Sequence, residues 1–114
     1  KANKYTLVMF WASWCHKCEQ EIPVLIPVHA KYKSQGFEAI GVSWDQARST
    51  WVGVIEQRGM GYPNVSQLQG WDSPIVKDYK ITATPTYFLL DSEGKIVLKP
   101  KRVYEVDAFL AKNL

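Results

Sequence analysis

The chain carries two cysteines, and both fall in the stretch FWASWCHKC, residues 10–18, as Cys15 and Cys18. On a helix, positions three apart lie on one side, roughly 5–6 Å from each other, within the span a disulfide bridges. Such a pair can open and close a disulfide without unfolding anything. The apolar run before Cys15 and the helical pattern after it put this residue at a strand-to-helix junction. Unpaired backbone N–H groups and the positive end of the helix dipole there favour a thiolate over a thiol. His16 and Lys17, between the cysteines, act in the same direction. Cys15 is therefore the expected nucleophile. Cys18, one turn further on and part of an apolar stripe, is the expected resolving thiol that closes on a mixed disulfide.

Other uses of the pair fit less well. A static disulfide or two unrelated buried thiols would not need the strand-to-helix setting. A zinc site would have only His16 and His29 to add, and His29 reads as a core-edge histidine, so no metal site is expected. Attachment of a c-type haem requires histidine directly after the second cysteine, where Glu19 stands.

The elements that must hold the pair can be read from the patterning. YTLVMFW, residues 5–11, is apolar on both alternating faces, as a central strand covered on both sides would be. From Cys15 to Gln35 the pattern is helical, with Cys18, Ile22, Leu25, His29 and Tyr32 on one face and Gly36 as the stop. Pro23 and Pro27 each remove a hydrogen bond, which predicts a kink or irregularity in that helix.

FEAIGVSW, residues 37–44, reads as a second strand, and Trp51, Val54 and Ile55 mark a helix that stops near Gly59. Met60 to Gly70 is loop-like, and Ser73-Pro74 starts a short helix to about Tyr79. TYFLL and KIVLK form a hairpin around Asp91-Ser92-Glu93-Gly94, and a last helix uses Val106, Phe109 and Leu110. Pro85 cannot donate to a sheet ladder, so it should begin its strand. The element order predicts a mixed sheet with helices on both faces, an α/β arrangement.

At 114 residues, with 46% hydrophobic and 22% charged residues, the chain has the composition of one globular domain covering residues 1–114. The net charge is +3, and Lys99-Pro100-Lys101-Arg102 is too short a basic run to imply nucleic acid; it reads as a solvated strand end. The longest apolar runs, YTLVMFWA and IPVLIPVHA, fall well short of the roughly 18 residues a membrane span needs. No small-residue cleavage pattern follows the first run, so the expectation is a chain trimmed after an exporting or anchoring segment. Any membrane anchor then lies outside this chain. Asn64-Val65-Ser66 has the form of a glycosylation acceptor, a triplet that arises often by chance.

FWASWCHKC, followed by Glu21 and Pro23 and later by TATPTYFLLDSEGKIV, resembles the thioredoxin superfamily over nearly the whole chain. The resemblance is greatest to its bacterial TlpA/ResA-type thiol-disulfide oxidoreductases. It implies a thioredoxin-like α/β fold with a central mixed sheet of about four to five strands flanked by helices on both faces. Thioredoxins proper bear a buried aspartate where this chain has Met9. TlpA/ResA-type proteins instead place a glutamate three residues after the second cysteine, here Glu21. If Glu21 is buried, desolvation disfavours its charged form, which suits it to take and return the proton of Cys18.

By the same resemblance Pro85, preceded by Thr84, occupies the position of a cis proline that faces the disulfide and offers backbone groups to a substrate chain. Trp14 would form an apolar rim around the reactive sulfur, and Pro23 matches the kinking proline of the first helix. His16-Lys17 departs from the usual dipeptides ending in proline. If two cations and a helix start lower a thiol from about 8.5 to about 6.5, the dithiol form gains roughly 0.8 kcal/mol at pH 7, or about 20 mV. Thioredoxin and the strong oxidant of the bacterial periplasm differ by about 150 mV, so a shift of this size tilts the pair toward oxidising without making a strong oxidase.

The activity implied is disulfide exchange with partner proteins in the bacterial periplasm or cell envelope, for example reduction during cytochrome c maturation. An upstream redox partner would recharge the pair. The expected protein is a monomer with no cofactor besides its own redox-active disulfide. Three readings compete with exchange. A peroxiredoxin-like antioxidant would need threonine or serine three residues before the reactive cysteine, where Ala12 stands. A copper carrier would recruit His29 beside the thiolates, over two helical turns from Cys18. A plain interaction domain would use the disulfide structurally.

Overall fold

The structure is a computed structural model that describes residues 3–12, 15–43, 55, 60, 62, 64–66 and 84–114. Strand β1 spans Tyr5–Trp11, helix α1 His16–Tyr32, strand β2 Phe37–Ser43, strand β3 Asn64–Ser66, strand β4 Thr86–Asp91, strand β5 Ile96–Leu98 and helix α2 Val103–Asn113. The strands form one sheet of five in the order β3-β2-β1-β4-β5. β1 therefore sits in the middle, as its two-sided apolar pattern predicts. β2 runs parallel to it with Leu7 opposite Ala39, and β4 antiparallel with Leu7 opposite Leu89. A parallel neighbour requires a crossover, which α1 supplies.

The core gathers where the strand and helix patterns converge. Leu7, Met9, Leu25, Ala39 and Leu89 are fully buried, as are Val103, Val106 and Leu110 of α2. Each large apolar side chain buried in this way contributes about 1.5–3 kcal/mol. The expected stripe of α1 is the buried one, because Cys18, Ile22, Leu25, His29 and Tyr32 all face inward. Pro23 and Pro27 lie inside a helix that continues across both, on its exposed face. The Tyr32 hydroxyl donates to Asp107 Oδ1 at 3.0 Å and ties α1 to α2, and the rings of Tyr5 and Phe109 meet edge to face at 5.3 Å.

The end of α1 tightens into a 3-10 turn over Lys33–Gln35 and is closed by Gly36 at φ 103°, a conformation that side chains with a Cβ rarely adopt. The Gly36 carbonyl then accepts from the Lys4 and Tyr5 N–H groups at 2.7 and 3.1 Å, which sets the entry of β1. The predicted hairpin is β4 and β5. Asp91 Oδ1 accepts from the Glu93 and Lys95 N–H groups, each at 2.9 Å, and Gly94 supplies the positive φ of 84°.

One element departs from the sequence expectation. β3 lies in the segment expected to be loop, pairing parallel with β2 through Val42 and Val65. Its three residues, with Val65 the one apolar member, are too few to show a strand period, and their pairing is dictated by the edge of β2. The expected short helix at 73–79 lies outside the described residues, and of the expected helix ending near Gly59 only Ile55 is described, in helical conformation. No helix among the described residues is long and apolar enough to cross a membrane.

Candidate functional site

β1 ends at Trp11, which like Ala12 after it is buried in the core, and α1 begins at His16. Cys15 is the N-cap of that helix, with extended backbone angles of φ −87° and ψ 116°. Its N–H donates to the Ala12 carbonyl at 3.2 Å, and its own carbonyl accepts from the Glu19 N–H at 3.2 Å, opening the helical ladder. Cys15 and Cys18 are joined by a disulfide, with their Cα atoms 5.2 Å apart. The Cys18 N–H, one of the helix's orphan donors, reaches Cys15 Sγ at 3.2 Å. The sulfur thus takes the place that a Ser or Asp oxygen takes in an ordinary cap, and a thiolate would receive the same bond more strongly.

Cys15 keeps 6% of its surface and Cys18 none, so an incoming group can approach only Cys15. His16 is turned to solvent, 82% exposed, with Nδ1 3.7 Å from Glu19 Oε1, so any influence on the sulfurs is through the field alone. Lys17 is likewise exposed. Trp14 lies outside the described residues.

Glu21 is buried at 5% exposure, one turn beyond Cys18. Its carboxylate is held from three directions. Oε1 accepts from the Val103 N–H at 2.7 Å and from the Tyr87 hydroxyl at 3.4 Å, and Oε2 accepts from Arg102 Nε at 3.0 Å. Val103 is the first residue of α2, whose N-cap Arg102 makes no side-chain cap of its own. Glu21 therefore caps α2 from α1, placing negative charge at the positive end of that helix. Burial first, then the Glu21 charge, pushes the Tyr87 hydroxyl well above its ordinary range, so it stays a protonated donor.

The Glu21 partners were missed in the sequence. The basic run was expected to be a solvated strand end. Lys99 and Lys101 are exposed, but Pro100 is buried and Arg102 pairs with Glu21 while its side chain remains 61% exposed. The contact spans 81 positions and carries no local signal; a cation just before a helical pattern, with a lone helix glutamate upstream, is the only hint.

The Thr84–Pro85 peptide bond is cis, and β4 begins at Thr86, immediately after it. Thr84 and Pro85 line a trough with Lys17, Glu21 and Arg102, so the structure brings together most of the residues singled out beside the cysteines. Met9, at the place of the thioredoxin aspartate, is a fully buried core residue. His29 is spoken for elsewhere: its Nε2 lies 2.7 Å from Glu38 Oε1, and its ring packs edge-on to Tyr62 at 5.6 Å. Among the described residues no three His, Cys, Asp or Glu side chains gather as a metal ligand set.

A family model described as thioredoxin-like matches residues 3–96. The thiol-disulfide oxidoreductase ResA of Bacillus thuringiensis subsp. konkukian is 31% identical over 99 residues, 87% of this chain and 56% of that protein. The chain thus spans a little over half the length of the curated relatives it matches. Among solved structures, the thioredoxin domain of a thiol-disulfide oxidoreductase from Bacteroides vulgatus is 32% identical with a TM-score of 0.88, covering 97% of this chain and 79% of that one. A thiol-disulfide oxidoreductase from Bacteroides fragilis is 30% identical with a TM-score of 0.89, covering 98% and 82%.

Proposed function

The chain belongs to the thioredoxin-like family, and from that premise we propose that it is a protein thiol-disulfide oxidoreductase that exchanges disulfides with partner proteins through Cys15 and Cys18. The disulfide at the start of α1, with the Cys18 N–H on Cys15 Sγ at 3.2 Å, carries the proposal. In the reducing direction the Cys15 thiolate attacks a partner disulfide. One sulfur–sulfur bond forms, the partner's breaks, and a partner thiolate leaves. Cys18 then gives up its proton, attacks Cys15 Sγ, and expels the second partner thiolate. The partner gains two electrons and this pair loses them.

Glu21 is the group proposed to take and return the Cys18 proton, supported by its burial one turn away. Thr84 and Pro85 offer backbone to the partner chain, Trp14 completes the apolar rim, and His16 and Lys17 tune the potential through their charge. The exchange uses no metal and no organic cofactor, since the cysteine pair itself takes up and releases the two electrons as it cycles between disulfide and dithiol. The TlpA/ResA-type resemblance supports a monomer working in the bacterial periplasm or envelope. Disulfides of envelope proteins, such as cytochrome c precursors, are the proposed substrates, and a second thiol protein recharges the pair.

Reduction of insulin disulfides tests the proposal. The protein at micromolar concentration is expected to accelerate dithiothreitol-driven precipitation of the insulin chains, and alkylated protein is not. A rate equal to dithiothreitol alone would contradict exchange and favour a structural disulfide.

A further inference from the structure

The cis-proline trough, lined on the α1 side by Lys17 and Glu21, adjoins a second one, and the two share Pro85 and Lys101. Each is about 400 Å³ in volume, 400 Å³ for the first and 410 Å³ for the second. Among the described residues four cations line the pair: Lys17 from α1, and Lys99, Lys101 and Arg102 from the segment between β5 and α2. Among the described lining residues one carboxylate, Glu21, faces them, and it is buried and already shared by three donors. Two further carboxylates among the described residues have contacts of their own. Glu19 faces His16, and Glu105 Oε2 accepts from the Lys101 N–H at 3.3 Å. Lys17, Lys99 and Lys101 are exposed and, among the described residues, none has a carboxylate within ion-pair distance.

Like charges that line adjoining troughs and lack a paired carboxylate among the described residues repel one another, and a ligand of opposite sign relieves that repulsion. From this charge pattern we infer that the trough selects partners whose reactive cysteine is flanked by aspartate or glutamate. An extended acidic segment laid from Lys17 past Pro85 toward Lys99 would meet a cation on each side of the cis proline while its cysteine faces Cys15. The inference rests on the exchange function proposed above and names the partner chemistry for that same site. Lys99 and Lys101 are its specificity-determining residues, since Arg102 is occupied by Glu21.

Two synthetic peptides of equal length test this, each with one internal disulfide, flanked in one by Asp and Glu and in the other by Lys. Both are reduced by the dithiol protein, and bis(2-hydroxyethyl) disulfide serves as an uncharged substrate. The acidic peptide is expected to react about tenfold faster in kcat/KM at low ionic strength, with the ratio falling severalfold in 0.5 M salt. In the Lys99→Glu/Lys101→Glu variant the preference is expected to vanish or invert, and Lys101→Gln to lie between, with the uncharged substrate unaffected. Equal rates for the two peptides, a preference for the basic one, or a preference that survives the double substitution overturns the inference. Failure to reduce the uncharged substrate at all contradicts the exchange function instead.

Discussion

Cys15→Ala is expected to bring disulfide exchange down to the uncatalysed background, whereas Cys18→Ala is expected to leave a protein that accumulates partners as covalent adducts. The two substitutions differ because the two sulfurs differ in surroundings. Cys15 has the only exposed surface of the pair and receives the Cys18 N–H. That donor belongs to the backbone, so Cys18→Ala removes the resolving sulfur but leaves the bond that stabilises a Cys15 thiolate. The lost volume at a fully buried site costs stability of only about 1 kcal/mol, too little to confuse the outcome. Non-reducing gels after incubation with a disulfide-bearing protein give the answer. Adducts formed by Cys15→Ala and not by Cys18→Ala would reverse the roles.

Glu21→Ala carries the second large effect, and it acts on stability and chemistry at once. Removing the carboxylate strands the Val103 N–H and the Tyr87 hydroxyl in the core and releases Arg102. Unsatisfied buried donors cost about 1–3 kcal/mol each, and the Arg102 contribution is small because that side chain is mostly solvated. A net loss of about 2–3 kcal/mol is expected, or about 10 °C in Tm. Glu21→Gln keeps an oxygen for the Val103 N–H and is expected to cost about 1 kcal/mol. The conservative variant therefore separates the roles. If Glu21 moves the Cys18 proton, Glu21→Gln shifts the pH profile of exchange while the fold stays intact. An unchanged profile, with Glu21→Ala still destabilised, would make Glu21 only the strut that joins α1 to α2.

What was legible in the sequence followed from periodicity. β1 could be read because Leu7, Met9 and Phe10 are apolar on both faces, and it proved the central strand. α1 could be read because Cys18, Ile22, Leu25, His29 and Tyr32 repeat at three and four. The hairpin could be read from Asp91 and Gly94, whose chemistry fixes the turn locally. The cysteine pair needed only its own spacing and the strand before it. By contrast, β3 exists because the edge of β2 recruits it, and three residues with a single apolar side chain, Val65, cannot announce that. The hold on Glu21 was hidden for the same reason. Its partners come from β4 and from the start of α2, brought in by the fold, and the run containing Arg102 looked like solvated surface. Sequence could place Glu21 near Cys18 but could not show it capping another helix.

The rate of iodoacetamide alkylation of the reduced protein, followed at each cysteine as a function of pH, tests the claim on which the mechanism stands. Cys15 is expected to react fast at pH values well below the 8.5 or so at which an ordinary thiol ionises, and Cys18 to lag far behind it. A Cys15 that titrates like a free thiol, or that reacts no faster than Cys18, would contradict an activated nucleophile at the head of α1.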